Sequence, residues 1–143
     1  IKRLHKKDAD LLETLDFIDQ KKEKMMVQKF IPEVFEGDKR VILISGEDCG
    51  FSVTRIPQGD DFRGNLAVGG KAEVRELNDR DLEIINAIKP KLIEKGILVA
   101  GIDILGSFLT EINITSPTCF RELYDQQGIN LAKDLIEQIE KAF

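Results

Sequence analysis

The alternation of hydrophobic and polar residues is clearest in residues 101–117. Isoleucine occupies every second position in two runs, 102–104 and 112–114, and the residues between are polar. Alternation with a period of two is typical of a strand that buries one face. Because glycine and serine stand between the two runs, the stretch is predicted to be a β-hairpin with one apolar and one polar face.

The register of this hairpin depends on the length of its turn. A two-residue turn, 106–107, would place Ile102 opposite Glu111 and mix apolar with charged side chains on both faces. A three-residue turn, 106–108, places Ile102 opposite Ile112 instead. A slip of one residue reverses the facing of every side chain, so only the longer turn keeps one face apolar, and we expect it here.

In the expected register, three oxygen-bearing side chains share the polar face. Asp103 lies opposite Glu111, and Asn113 follows on the same face. No lysine or arginine belongs to this trio, so its facing carboxylates would repel each other. Two interpretations stay open: the trio is the solvent-exposed face of an amphipathic hairpin, or it binds a cation. Mg²⁺ takes such oxygen ligands and usually keeps positions for phosphate and water.

Three other stretches have the periodicity of amphipathic helices. They are Asp8 to about Lys24, with its apolar stripe on Leu11, Leu12, Leu15 and Ile18; Asn78 or Asp79 to about Lys95, followed by Gly96; and Leu131 to Ala142, capped by Asn130. The capping residues and the glycine are typical helix boundaries. Pro90 is expected to bend the second helix or to start a new segment within it.

Shorter apolar runs predict strands at Met25–Ile31, Arg40–Ser45 and Phe51–Ile56. The first is closed by Pro32, and residues 46–50 are expected to form a hairpin loop between the other two. The segment from Pro57 to Lys71 is rich in Gly, Asp and Gln and lacks periodicity, which makes it a candidate functional loop. Strands with helices on one side of the sheet predict an α+β fold.

Composition narrows the classes of function. A net charge of −5 with 33% charged residues argues against a nucleic-acid-binding surface. Cys49 and Cys119 form no CxxC motif, so a reduced, cytosolic setting is expected. The single histidine, His5, excludes a histidine-based triad or zinc site, and no apolar run has the length of a membrane span. Neither nucleic acid nor a membrane is therefore expected as a partner.

Basic side chains accompany the candidate loop. Arg55 precedes it, Arg63 lies within it and Lys71 ends it. A guanidinium group can bind phosphate or carboxylate through two N–H groups, so several basic residues near a cation site favour anionic ligands. Ordinary surface ion pairs are the structural alternative for each of them.

Four segments resemble bacterial glutathione synthetase in residue identity, order and separation. They are Gly37-Asp38-Lys39-Arg40-Val41, Arg55-Ile56-Pro57-Gln58, Arg63-Gly64-Asn65-Leu66-Ala67-Val68-Gly69-Gly70 and Thr110-Glu111-Ile112-Asn113-Ile114-Thr115-Ser116-Pro117-Thr118-Cys119. The likeness extends from about Met25 onward. The pair Glu111 and Asn113 alone would indicate only the ATP-grasp superfamily. The resemblance implies the C-terminal part of an ATP-grasp fold, with a mostly antiparallel sheet flanked by helices.

The resemblance also implies an activity. Glutathione synthetases use ATP to convert the terminal carboxylate of γ-glutamylcysteine into an acyl phosphate, which the amine of glycine then attacks. Asp103, Glu111 and Asn113 would hold Mg²⁺, or Mn²⁺, at the ATP phosphates. Arg40 and Arg55 would be catalytic, because they would neutralise charge on the transferred phosphoryl group.

Further site residues follow only from this resemblance. The ATP-binding set would be Gln28, Lys29, Phe30, Ile31 and Asp38, with the first four in the hinge that holds adenine. The segment Ile56–Lys71 would be the loop that closes over the site and protects the acyl phosphate from water. The dipeptide-binding set would be Arg63, Asn65, Gly69, Gly70 and Ser116. A cytoplasmic homo-oligomer is implied as well.

The chain differs from the family in length. Family members are roughly twice as long, and the sequence begins at Ile1 without a methionine, so we expect a piece of a longer protein. Residues 1–27 would be a remnant of the lid subdomain and 28–143 the catalytic domain, without turnover by this piece alone. Two alternatives stay open: another ATP-grasp carboxylate–amine ligase, or a non-catalytic nucleotide-binding fragment.

Overall fold

The computed structural model describes residue 4 and residues 10–21, 26–58 and 71–142. The chain divides into two compact units, Ile1–Ile31 and Pro32–Phe143. No helix in the described ranges is long and apolar enough to cross a membrane. The predicted boundary after residue 27 concerns subdomains of the family and stays a prediction.

Helix α1, Asp10–Lys21, is the regular element of the first unit's described residues. It confirms the helix predicted from Asp8 to Lys24 over the residues that the structure describes. Within the predicted stripe, Leu11 and Ile18 are half-buried and Leu12 and Leu15 are exposed.

The second unit alternates strands and helices. In chain order they are a 3₁₀ helix at Pro32–Glu36, β1 Asp38–Ile44, β2 Phe51–Ile56, β3 Lys71–Glu76, α2 Asp79–Glu94, β4 Val99–Leu105, β5 Phe108–Asn113, α3 Phe120–Gln127 and α4 Leu131–Ala142. The strands form one antiparallel sheet in the order β3-β2-β1-β4-β5. The predicted α+β fold, an antiparallel sheet flanked by helices, is confirmed.

Successive residues of β1 point to opposite faces of the sheet, and each face has its own core. Val41 and Leu43 pack with Ile84, Ile85 and Leu92 of α2 on one face. On the other face, Ile42 and Ile44 belong to a cluster with Leu123 of α3 and Leu131 of α4. The prediction of helices on one side was therefore wrong, because apolar residues at consecutive positions of β1 require cover on both sides.

The helix boundaries follow local chemistry. The Asn78 side chain accepts a hydrogen bond from the backbone N–H of Asp81, and the Asp81 carboxylate accepts one from the N–H of Asn78. This reciprocal pair is a capping box and confirms Asn78 as the cap of α2. Pro90 lies inside α2, which continues without interruption to Glu94.

The start of α4 follows the same chemistry. Asn130 caps it by accepting a hydrogen bond from the N–H of Lys133 at 3.1 Å. The helix runs over Leu131–Ala142, which confirms both its predicted bounds and its predicted cap.

Three predictions about smaller elements need correction. Residues 26–31 are not a strand; Met26 and Val27 are about four-fifths exposed, so they lack the packing that a strand needs. Lys71 begins β3 rather than ending a loop, and β3 itself was not predicted, because it carries charges along one face. Helix α3 was also missed; it is short, and Cys119 before it makes no side-chain capping hydrogen bond.

The hairpin of β4 and β5 combines both registers considered for it. Its turn has two residues, since Leu105 pairs with Phe108, and so the expected three-residue turn was wrong. A β-bulge between positions 103 and 104 of β4 then leaves Thr110 as the extra residue on β5. Beyond the bulge Ile102 pairs with Ile112, so the expected register is confirmed there.

Candidate functional site

The sheet face beneath α3 and α4 changes from apolar to charged along several neighbouring strands. On β1, Ile44 and Ile42 are followed on this face by Arg40 and Asp38. We call the part of the face formed by Ile42, Ile44, Val53 and Val99 the apolar half, and the part formed by Asp38, Arg40, Arg55, Asp103, Glu111 and Asn113 the charged half. The antiparallel register brings the charged residues to one level of the sheet.

Asp103 is the centre of the charged half. Arg40 binds both of its carboxylate oxygens, through Nε to Oδ1 and through Nη2 to Oδ2, the latter at 2.9 Å. Nη2 of Arg55 lies 2.8 Å from the same Oδ2. Arg40 and Asp103 are each only 5% exposed. The argument that no positive charge accompanies the acidic trio was therefore wrong, because two arginines from neighbouring strands reach Asp103.

These contacts shift the pKa values of both partners. Burial raises the pKa of Asp103, but hydrogen bonds from Arg40 and Arg55 outweigh it, and the pKa lies below its ordinary value. The hydrogen bond to Asp103 raises the pKa of Arg40 further above its ordinary value, against the effect of burial. Both groups therefore stay charged at neutral pH.

Asp38 has a different environment. Nη2 of Arg55 donates to Oδ2 of Asp38, and Oδ1 is buried without a hydrogen-bond partner among the described residues. Burial raises the pKa of Asp38 to about 6, and the nearby Asp103 raises it too, although Arg55 opposes both effects. Nε of Arg55 is also buried and unpartnered in the described part of the chain. The charged half thus contains one donor and one acceptor whose hydrogen bonds are not made, which is unusual for buried polar atoms.

Glu111 and Asn113 lie on the adjacent strand β5. Glu111 pairs with Asp103 in the ladder and is exposed, and no ion pair to it occurs within the described ranges. The side-chain oxygen of Asn113 accepts hydrogen bonds from the N–H of Thr115 at 3.1 Å, its hydroxyl at 3.2 Å and the N–H of Ser116 at 3.3 Å. Asn113 therefore shapes the loop that follows β5.

Thr110 and Gly101 place these groups. The hydroxyl of Thr110 donates to the backbone carbonyl of Asp103 at 3.2 Å, which fixes the bulge beside the site. A side chain at Gly101 would meet Pro117 Cβ at 2.6 Å and Arg40 Cδ at 3.2 Å. Glycine at this position lets Pro117 and the stem of Arg40 lie against the sheet, a requirement with no local sequence signal.

An ion pair on the opposite face also holds β1, and sequence reasoning missed it. Lys39 donates to both carboxylate oxygens of Asp81, at 2.8 and 2.7 Å, and Asp81 is fully buried. Lys39 neighbours Arg40, so the start of α2 is tied to the strand that carries the charged half. The Asn78-to-Asp81 capping spacing is the only sequence signal for it.

The donors suit a hard cation in their chemical kind. Asp103, Glu111 and Asn113 contribute carboxylate and amide oxygens from two paired strands. Two of them, Asp103 and Asn113, are engaged by internal donors. No cluster of three or more His, Cys, Asp or Glu side chains that could hold a metal occurs in the part of the chain that the structure describes. Binding is compatible with the donor set but requires an exchange of partners.

The other predicted site residues have different outcomes. Gln28, Lys29, Phe30 and Ile31 lie in the irregular segment of the first unit, and Ser116 is exposed after β5. The dipeptide-binding candidates Arg63, Asn65, Gly69 and Gly70, like His5, lie outside the described residues. Cys49 and Cys119 are free thiols, and burial raises the pKa of each.

Comparisons with known proteins identify the family of the chain. Residues 1–128 match the family model described as the prokaryotic glutathione synthetase ATP-grasp domain. Glutathione synthetase of Xanthomonas campestris pv. campestris is 46% identical over 130 residues, 91% of this chain and 40% of that protein. The Neisseria meningitidis serogroup A protein of the same name is 46% identical over 133 residues, 91% of this chain and 41% of that protein.

A third relative extends the comparison. The glutathione synthetase of Synechocystis is 48% identical over 122 residues, 85% of this chain and 38% of that protein. The chain thus spans about two fifths of the length of the curated relatives it matches.

Proposed function

The chain belongs to the family of prokaryotic glutathione synthetase ATP-grasp domains, and we propose that it carries the phosphoryl-transfer site of an ATP-dependent ligase that makes glutathione. In this reaction a carboxylate oxygen of γ-glutamylcysteine attacks the γ-phosphorus of ATP, and ADP leaves. The amine of glycine then attacks the acyl phosphate, an amide bond forms and phosphate leaves.

The observation that carries the proposal is the pair of arginines that meet at Asp103. Arg40 and Arg55 come from neighbouring strands, are mostly buried, and stand beside the oxygen donors of β5. Phosphoryl transfer is catalysed chiefly by positioning and by charge stabilisation, so two held guanidinium groups suit its transition state. The Nε of Arg55, which is buried and has no hydrogen-bond partner among the described residues, could donate to an anionic oxygen.

A divalent cation is part of the proposal. Asp103, Glu111 and Asn113 would hold Mg²⁺ or Mn²⁺, which, when bound, would neutralise charge on the ATP phosphates. Glu111 supports this role because it is exposed and has no ion-pair partner within the described ranges. Arg40 and Arg55 would neutralise the transferred phosphoryl group from the side of the sheet.

The remaining roles rest on the family motifs. Gln28–Ile31 would bind adenine, and Asp38 would lie on the nucleotide side. The dipeptide would be bound by Arg63, Asn65, Gly69, Gly70 and Ser116. The cytoplasm is the proposed setting, since both cysteines are free thiols. A homo-oligomer stays a prediction.

ADP release by the complete protein with ATP and Mg²⁺ tests the proposal. We expect ADP release to require γ-glutamylcysteine and to rise strongly when glycine is added, because the amine of glycine converts the acyl phosphate into product. ADP release that does not depend on the dipeptide but increases with another carboxylate and amine would instead favour a different ATP-grasp ligase. Nucleotide binding without release under any condition would favour the non-catalytic alternative.

A substitution at Glu111 tests the role of the site without changing the stability of the fold. Glu111→Gln should lower ADP release at least about a hundredfold, because an amide is a weaker ligand for a phosphate-bridging cation. Its unfolding curve should match that of the wild type, since Glu111 is exposed. The matched control is Glu137→Gln on α4, where the carboxylate faces Lys133 at 3.7 Å and ADP release should be unchanged. Near-normal activity of Glu111→Gln would remove Glu111 from the mechanism.

A further inference from the structure

The Asp103 carboxylate has few free acceptor positions. A carboxylate offers about four lone-pair positions on its two oxygens. Arg40 occupies one on each oxygen, and Arg55 approaches Oδ2 as well. A cation that binds Asp103 must therefore share it with the arginines or displace them. This conflict involves the same residue that the proposed function assigns to the cation.

The four side chains Asp38, Asp103, Arg40 and Arg55 balance one another in charge, and the exposed Glu111 beside them adds one negative charge. Asp38 and Asp103 contribute two negative charges, and Arg40 and Arg55 contribute two positive ones. A divalent cation alone would leave the buried cluster with an excess of positive charge, which is unfavourable in a poorly solvated place. An anionic polyphosphate that arrives with the cation would restore the balance. The cluster should therefore accept cation and phosphate together more readily than the cation alone.

The geometry of Arg55 also indicates a second partner. Its Nη2 is shared between Asp38 and Asp103, while its Nε is buried and donates to no acceptor among the residues that the structure describes. A buried N–H without an acceptor is costly, so this donor favours an oxygen that comes with a ligand. A phosphoryl oxygen fits this requirement, because a guanidinium group binds it through two N–H groups.

Resting on the proposed function, we infer that Arg40 and Arg55 compete with the divalent cation for Asp103 and are released to the phosphoryl group when the cation binds. Before ligands bind, the guanidinium groups occupy the carboxylate. With cation and nucleotide bound, the Asp103 carboxylate would ligate the cation, and the guanidinium groups of Arg40 and Arg55 would donate to phosphoryl oxygens. This exchange couples the two ligands, so that each increases the affinity for the other by the same factor.

The rival explanation is that the arginines only orient Asp103 as a ligand. Removing the guanidinium of Arg40 distinguishes the two, because competition predicts tighter cation binding without nucleotide and orientation predicts weaker binding. Arg40→Met keeps much of the stem that lies over Gly101 and removes the charged group. Arg40→Lys keeps the charge but cannot reproduce the two-oxygen contact, so it separates direct competition from a general effect of charge.

Binding of Mn²⁺ to the complete protein, measured from the electron paramagnetic resonance signal of the free ion, provides the test. In the wild type we expect a non-hydrolysable ATP analogue to tighten Mn²⁺ binding at least about tenfold, within the range usual for coupled sites. Without the analogue, Arg40→Met should bind Mn²⁺ about tenfold more tightly than the wild type, and Arg40→Lys a few-fold more tightly. The analogue should then tighten Mn²⁺ binding by a smaller factor in both variants than in the wild type. In an Asp103→Asn background, Arg40→Lys should no longer change the affinity.

Each outcome decides between explanations. Equal or weaker Mn²⁺ binding by both Arg40 variants, with normal coupling in the wild type, would overturn the exchange and leave the proposed function intact. Tighter binding by Arg40→Met but not by Arg40→Lys would reduce the effect to general charge and would also overturn it. No Mn²⁺ binding by the wild type, even with the analogue, would overturn both the exchange and the proposed cation site. If Arg40→Met does not fold, Arg40→Lys alone decides.

Discussion

The apolar half and the charged half of one sheet face are both buried but have opposite chemistry. Ile42 and Val53 are fully buried beneath α3 and α4, while Arg40, two residues from Ile42 on β1, is 5% exposed. Burial of Ile42 contributes favourable free energy by itself. Burial of Arg40 opposes folding and is tolerated only because Asp103 neutralises it. Exposure alone therefore does not distinguish a core residue from a site residue.

Stability does not explain why the charged half exists. Replacing a buried ion pair by apolar residues of similar volume is often neutral or stabilising. Here two carboxylates and two guanidinium groups share one small region. Asp38 Oδ1 and Arg55 Nε, which have no hydrogen-bond partner in the described part of the chain, add to its cost. Such an arrangement is typical of a site kept for a ligand. The two halves should therefore differ in stability, in ligand response and in pH dependence.

The largest effect is expected from removing the centre of the charged half. Asp103→Ala leaves Arg40 buried without its partner, which should lower the free energy of unfolding by about 3–5 kcal/mol. Urea denaturation without ligands measures it. As a control, Glu94→Ala on α2 breaks an exposed ion pair with Lys91 and should leave the urea midpoint near that of the wild type. A midpoint for Asp103→Ala close to that of this control would mean that Arg40 is solvated in the variant.

The matching change in the apolar half is Ile42→Ala. It should lower the free energy of unfolding by about 2–5 kcal/mol, because it removes apolar contacts and leaves a cavity. Mg²⁺ and an ATP analogue should then stabilise Ile42→Ala as much as the wild type, but should barely stabilise Asp103→Ala. Thermal denaturation of the complete protein with and without both ligands compares the shifts in Tm. Equal ligand shifts in the two variants would contradict the division of the face into two halves.

Local patterns predicted much of the apolar half. The bounds of β2 and α4 were predicted to the residue, since alternation and capping are encoded within the segments themselves. The end of the β4–β5 hairpin that carries Asp103 and Glu111 was predicted in register, because Ile102 and Ile112 fix the facing there. The two-residue turn was missed, because only a bulge at Thr110 reconciles it with that register.

The contacts of the charged half could not be predicted from local patterns. Asp103 lies 63 positions after Arg40, and Asp38 lies 17 before Arg55. Their meeting depends on β1 lying between β2 and β4, and strand order is a property of the whole sheet. Local patterns do not contain the strand order, so they indicate no positive partner for the acidic trio. The family resemblance named Asp38, Arg40, Arg55 and Asp103 as site residues, but it did not predict their contacts with one another.

A smaller effect is expected from the pH dependence of Asp38. Its pKa of about 6 in the folded protein exceeds the ordinary value of 3.8, so the folded state binds this proton more tightly than the unfolded state. Its contribution to stability is complete below pH 4 and is lost as pH rises through about 6. Asp103 acts in the opposite sense. Because its pKa is lowered in the folded protein, its carboxylate stabilises the fold at pH values above its ordinary pKa, and this contribution is lost in stronger acid.

Asp38→Asn removes this titration. Between pH 4 and pH 7 the free energy of unfolding of the wild type should fall relative to the variant by up to about 3 kcal/mol. Urea denaturation of both proteins at four pH values in this range measures the difference. The other titrating groups are the same in the two proteins, so their contributions cancel. Parallel curves for the two proteins would show that Asp38 titrates normally in the folded state.

The smallest effect tests how the apolar half ends at β3. The side chain of Gln126 on α3 accepts a hydrogen bond from the N–H of Val74 at 2.9 Å and donates to the carbonyl of Ala72 at 3.2 Å. It therefore pairs with the exposed edge of β3 as a neighbouring strand would, and it makes this edge less available to another chain.

Gln126→Ala should cost only about 1 kcal/mol of unfolding free energy, because water can replace both hydrogen bonds at this exposed edge. Hydrogen exchange is the sharper measurement: the amide of Val74 should exchange faster in the variant, while amides of β1 and β4 keep their protection. Gln127→Ala is the control, since the adjacent Gln127 makes no side-chain hydrogen bond among the described residues. Unchanged exchange at Val74 would mean that the backbone edge of β3, rather than Gln126, protects that amide. ADP release should stay at the wild-type rate in both variants, because both hydrogen bonds of Gln126 are made to backbone atoms of β3.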